Sequence, residues 1–130
     1  MRTPRTRRFP KNILATLSNS KILGIRAGSG PHRFIGIWHV VVENRVFVRS
    51  WTLKPNGWYR AFLKEPRGAI QGGGRAIAIL AVRTRSEYLK KAVDHAYAAK
   101  YNTPGSVKFV RGFRQVKRRD TTTELVPLMN

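Results

Sequence analysis

The segment Asn56-Gly57-Trp58-Tyr59-Arg60 sets two aromatic rings and a guanidinium side by side. At a loop-to-helix junction such a group can stack on a planar ring and hydrogen-bond a phosphate. A helix opening there adds backbone N–H donors and a dipole that favours an anion. A plainer arrangement suits the same residues, with Trp58 as a core plug and Arg60 as a surface charge, and residue types alone favour it. A second stretch, Phe109-Arg119, interleaves Phe109 and Phe113 with Arg111, Arg114, Lys117, Arg118 and Arg119. Rings for bases and cations for phosphates are what single-stranded nucleic acid requires. No RRM, KH, zinc-finger or helix-turn-helix signature accompanies them, so a solvated basic loop is the plainer expectation.

Other chemistries find little support. The acids are Glu43, Glu65, Glu87, Asp94, Asp120 and Glu124, scattered too thinly to suggest a carboxylate pair or a hard-cation site. His32, His39 and His95 lack helical zinc spacing, and cysteine is absent, so no metal site is expected. Ser50 sits in no G-x-S-x-G elbow. Gly72-Gly73-Gly74 lacks the G-x-x-x-x-G-K-[ST] frame of a phosphate loop, and Gly28-Ser29-Gly30 fails likewise; both read as turns.

Charge is the outlier. Against those six acids stand 26 Lys and Arg, a formal net charge of +20 over 130 residues. Such a field attracts nucleic acid, phosphorylated cofactors or anionic membranes. No apolar run approaches the roughly 18–20 residues that span a bilayer, and the basic start leads into no apolar signal region. The expectation is a cytoplasmic protein with no membrane partner.

The elements that must position these residues form one α+β domain, mainly β. Residues 1–10 read as a flexible basic tail, and 11–130 as a single domain. Lys11-Asn19 has Ile13, Leu14 and Leu17 at helical spacing. Ile22-Arg26 reads as a strand, then a Gly28-Pro31 turn. Phe34-Val42 reads as one β-rich run, and Glu43-Asn44 as a hairpin turn into Arg45-Ser50. Along that strand Arg45, Phe47 and Arg49 point one way, Val46, Val48 and Ser50 the other. Trp58-Lys64 reads as a short helix stopped near Pro66, and Ala69-Gln71 pairs with Arg75-Val82. Glu87-Tyr101 is the clearest amphipathic helix, with Thr84 and Glu87 at capping-box spacing. Thr121-Leu128 closes the sheet, which is expected to curl into a small barrel.

In order, Trp38-His39-Val40-Val41-Val42, Arg45-Val46-Phe47-Val48-Arg49-Ser50, Gly57-Trp58-Tyr59-Arg60-Ala61, Ile70-Gln71-Gly72-Gly73, Val93-Asp94-His95-Ala96-Tyr97-Ala98-Ala99-Lys100-Tyr101 and Thr121-Thr122-Thr123-Glu124-Leu125-Val126-Pro127 resemble a bacterial family called domain of unknown function 2255. The resemblance runs over residues 18–128 and extends to the flavin-binding split-barrel, nitroreductase-like superfamily. It implies a six-stranded antiparallel split barrel with flanking helices, commonly a homodimer, that binds flavin mononucleotide (FMN) or the deazaflavin F420. It further implies that Arg33 lies near the cofactor phosphate. Arg49, Ser50 and Trp51 would line the cofactor edge, and Trp58, Tyr59 and Arg60 would close its pocket. The Gly28-Arg33 turn departs from the deazaflavin pattern in lacking Thr-Gly-Lys. The expected function is a flavin- or deazaflavin-binding protein of oxidoreductase type. The alternative is a non-enzymatic domain that binds nucleic acid or another polyanion through its basic surface.

Overall fold

The computed structural model describes residues 8–28, 33–72 and 74–128. Of the expected basic tail, residues 1–7 lie outside these, but Phe9 is buried in the core, ahead of the expected boundary at residue 11. Helix α1 spans Lys11–Asn19 as its spacing predicts, with Leu14 and Leu17 turned inward. The strands are β1 (Leu23–Ala27), β2 (Ile35–Ile37), β3 (His39–Val42), β4 (Arg45–Val48), β5 (Arg67–Gly72), β6 (Arg75–Arg83) and β7 (Thr123–Pro127). Between them lie α2 (Trp58–Lys64), α3 (Glu87–Lys100), α4 (Val107–Gly112) and α5 (Val116–Arg119).

The strands form one antiparallel sheet in the order β2-β1-β5-β6-β7-β4-β3. Its edge strands, β2 and β3, are neighbours in the chain, separated only by Trp38. A flat sheet could not hold both edges one residue apart, so the sheet curls into a nearly closed barrel. Among the described residues the expected six strands are therefore seven. The run Phe34-Val42, read as one strand, breaks at Trp38 and changes partner from β1 to β4.

Tyr97 of α3 and Tyr101, just past its end, satisfy the backbone groups at the break. The Tyr97 hydroxyl donates to the Trp38 carbonyl at 3.3 Å, and the Tyr101 hydroxyl accepts from the His39 N–H at 3.1 Å.

Turn chemistry sets the register. Glu43 and Asn44 take φ of 53° and 63°, the left-handed pair that matches the twist of a two-residue hairpin. Gly72 pairs with Arg75 and Gly74 has φ of 77°, so β5 and β6 are paired as a tight hairpin; Gly73 itself lies outside the described residues, as do Ser29 to His32. Capping departs from expectation. Ser86, not Thr84, caps α3 by accepting from the Leu89 N–H, while the Thr84 hydroxyl accepts from the Ser86 N–H.

Side-chain alternation along β4 divides two cores. Val46 and Val48 enter the barrel interior with Leu23, Ile25, Ile70, Ile79 and Leu125, and residues of α1 and α2 plug it. Phe47 faces outward into a second cluster with Val93, Tyr97, Tyr101, Val110 and Phe113. This second cluster docks α3 and α4 on the barrel wall. The stretch Phe109-Arg119, expected as a loop, is instead two short helices pinned by buried Val110 and Phe113. Along β6, Ile77 and Ile79 are buried while Leu80 is only half-buried, because its parity sets it on the outer face.

Candidate functional site

A cleft of about 490 Å³ opens where the strand break, the loop after β4 and helix α4 meet. Trp38, Trp51, Trp58, Phe109 and Phe113 supply aromatic walls, Ile22, Ile35 and Ile37 an aliphatic side, and Thr52 and Asn56 polar groups.

The rings brace one another. Trp38 stacks on Tyr101, with centroids 4.1 Å apart and planes 7° from parallel. Trp51 meets the edges of Phe109 and Phe113 at 5.2 and 5.5 Å. The Arg118 guanidinium covers the Trp51 ring at 3.9 Å, and its Nε donates to the Trp51 carbonyl at 2.9 Å. Gly112 makes this possible: a Cβ there would fall 2.5 Å from Cη2 and Cζ3 of Trp51. Such offset and edge contacts contribute about 0.5–1.5 kcal/mol each beyond the area they bury. The pocket therefore exists before any ligand arrives.

Arg49, expected at a cofactor edge, lines the cleft, but its side chain is 0% exposed. Its Nε donates to Thr122 Oγ1 at 2.8 Å, Nη1 to Asp94 Oδ1 at 2.6 Å and to the Phe113 carbonyl at 3.1 Å, and Nη2 to the Lys90 carbonyl at 2.9 Å. Burial pushes its pKa down and the bond to Asp94 opposes that shift. A guanidinium so engaged joins β4, α3, α4 and the approach to β7. It has little left for a phosphate.

The other expected residues separate. Trp51 and Trp58 line the cleft. Ser50 is buried outside it, its hydroxyl donating to the Thr52 carbonyl at 2.6 Å and its N–H to Thr121 Oγ1 at 2.8 Å. Tyr59 packs in the barrel core beside Trp58. Arg33 and Arg60 are exposed and absent from the lining. Trp38, Phe109 and Phe113 were not expected there. The i, i+4 spacing of the two phenylalanines was the available signal for a helix face.

Beside the cleft, behind Trp38 and Tyr101, lies a polar cluster. His39 Nε2 donates to the Leu17 carbonyl at 2.6 Å, while its Nδ1 is buried without a partner. Burial lowers its pKa to about 4, helped by the charge of Lys100. Lys100 Nζ donates to the carbonyls of Leu17 and His39, each at 3.1 Å, and Lys21 Nζ donates to the Lys100 carbonyl at 2.7 Å. Burial, then Lys21, brings Lys100 down to about 8. These lysines cap the ends of α1 and α3. Among the described residues no group of three His, Cys, Asp or Glu could hold a metal ion, and no helix is long and apolar enough to cross a membrane.

Residues 14–125 match the model of a family described as "Uncharacterized protein conserved in bacteria (DUF2255)". No curated protein matches the chain. Among solved structures, it is similar to a conserved hypothetical protein, Rv2991, from Mycobacterium tuberculosis. The TM-score is 0.56 at 10% identity, over 97% of this chain and 84% of that one. At that identity the likeness is one of fold.

Proposed function

This chain belongs to the DUF2255 family, and from that premise we propose that its aromatic cleft binds a planar, largely apolar ring ligand, a flavin-type ring being the first candidate. The observation that carries this reading is the pair Trp38 and Trp51, each held in the cleft wall by another planar group, Tyr101 and Arg118. Preorganised aromatic walls with a few polar groups are the usual anatomy of a small-molecule site. Thr52 and Asn56 are the side chains placed to orient the polar edge of such a ring.

The two halves of FMN fare differently. The ring suits the cleft. Among the described residues the phosphate finds no free cation in the lining, because Arg49 is engaged elsewhere and Arg33 and Arg60 lie outside it. A flavin supplies its own redox chemistry when bound, and the protein's part is placement and electrostatics. The residues here would place the ring and exclude water from its apolar side.

The test is fluorescence quenching of riboflavin, FMN and F420 titrated into purified protein. The expected result is binding of riboflavin and FMN with constants within about threefold of each other. FMN binding more than tenfold tighter, and weakening with salt, would move the anchor to a cation outside the cleft. No quenching by any flavin, and no stabilisation of the fold by one, would remove the flavin candidate.

A further inference from the structure

The basic charge of this chain is not neutralised internally. Glu124 pairs with Arg45, Asp94 with Arg49 and Arg119, Glu87 with Arg119 and Asp120 with Lys90. Glu43 accepts from the Tyr88 hydroxyl and Glu65 from the Arg67 N–H. Among the described residues, Lys108, Arg111, Arg114 and Lys117 make no ion pair, and all are exposed.

These cations share one short segment, α4 to α5, which carries no acid between residues 107 and 119. Buried Val110 and Phe113 fix that segment to the barrel, so the charges stand on a packed platform. Beside them, partly exposed, are the rings of Phe109 (39%) and Trp51 (41%), and Arg118 ties Trp51 to the same segment.

The geometry points to a binding track for single-stranded nucleic acid along α4 and α5, with phosphates on Lys108, Arg111, Arg114 and Lys117 and a base on the Phe109–Trp51 edge. Exposed cations concentrated in one short segment select a polyanion, and exposed rings beside them select one whose bases are unstacked. A duplex keeps its π-faces inside the helix and leaves these rings unused. Val107, Phe109 and Val116 are exposed on this segment, but helices of six and four residues are too short for an amphipathic helix lying in a lipid interface. The track shares the Phe109–Trp51 edge with the ring-ligand cleft, but its four cations lie outside the cleft lining, so removing them tests the track without removing a wall of the cleft.

The experiment is fluorescence anisotropy with a labelled oligouridine, an RNA duplex and anionic phosphatidylserine vesicles, over a range of salt. The protein variant carries Lys108→Gln, Arg111→Gln, Arg114→Gln and Lys117→Gln. A matched control removes the same charge elsewhere, with Lys11→Gln, Lys54→Gln, Arg75→Gln and Lys91→Gln. Each phosphate contact on a single strand contributes about 0.7 to the slope of log K against log salt, so the track variant should lose roughly 3 from that slope. It should bind oligouridine at least tenfold more weakly than the control variant, with flavin quenching unchanged. Equal losses in both variants would reduce the effect to diffuse charge and overturn the track. Duplex or vesicles bound as tightly as the single strand would overturn it too.

Discussion

Nη1 of Arg49 lies 2.6 Å from Oδ1 of Asp94, across the contact between the end of β4 and helix α3. The second carboxylate oxygen of Asp94 accepts from Arg119 Nε at 3.0 Å, so one acid serves two guanidiniums from distant parts of the chain. Removing one partner of a buried pair leaves the other desolvated, which costs about 3–5 kcal/mol. Arg49→Met should therefore lower stability by that order in urea denaturation. Arg49→Lys should recover only part of it, since one ammonium cannot reach Thr122, Phe113 and Lys90 together.

Tyr97 bridges two backbone ends. Its hydroxyl accepts from the Arg49 N–H at 3.1 Å and donates to the Trp38 carbonyl. Tyr97→Phe keeps the ring and orphans both groups, at about 1–3 kcal/mol. Amide exchange at Arg49 should accelerate in this variant more than at residues of β6, where the ladder is intact.

Gly112 tests the cleft from behind. Gly112→Ala pushes a methyl into the partly exposed Trp51 indole, which must leave its contacts with Phe109, Phe113 and Arg118 to make room. Ring-ligand affinity should fall about tenfold, the upper range of a lost aromatic contact, with a modest drop in melting temperature from the displaced ring. Unchanged affinity would show that Trp51 is not a wall of the binding site.

His39 makes stability depend on acid. Its folded pKa, about 4, lies below the ordinary value of 6.5, so the unfolded chain takes up the proton first as pH falls. Its contribution is full above pH 6.5 and is lost progressively between 6.5 and 4, amounting to about 3 kcal/mol. Lys100 acts in another window. With a folded value near 8 against 10.5, it makes stability rise as pH climbs from 8 to 10.5. His39→Gln, whose amide can still donate to the Leu17 carbonyl, should flatten the acid limb of a denaturation profile and leave the alkaline limb in place.

Local features were readable in the sequence. The bounds of α1 and α2 follow from apolar spacing and the flanking prolines, and the Glu43-Asn44 turn from the tolerance of Asn for positive φ. What failed to show was set by long-range pairing. Arg49 meets Asp94 and Thr122 across 45 and 73 positions, and nothing in a strand arginine announces partners so remote. The break at Trp38 depends on Tyr97, 59 positions from Trp38, and on Tyr101, 62 positions from His39. Trp58 turned out to combine both readings of its segment, packed in the core and lining the cleft, while Arg60 took only the plainer one.

The place of β7 bears on how this chain is made. It lies between β6 and β4, so every earlier strand can pair while these two still present open edges. Until residues 123–127 emerge during synthesis, the barrel has a slot, and Val46, Ile79 and their neighbours border it. Unpaired edges beside apolar side chains recruit other chains. Ribosome-bound intermediates of this protein should thus be customers for chaperones, and a chain cut before Thr123 should aggregate where one cut after Leu128 stays dispersed.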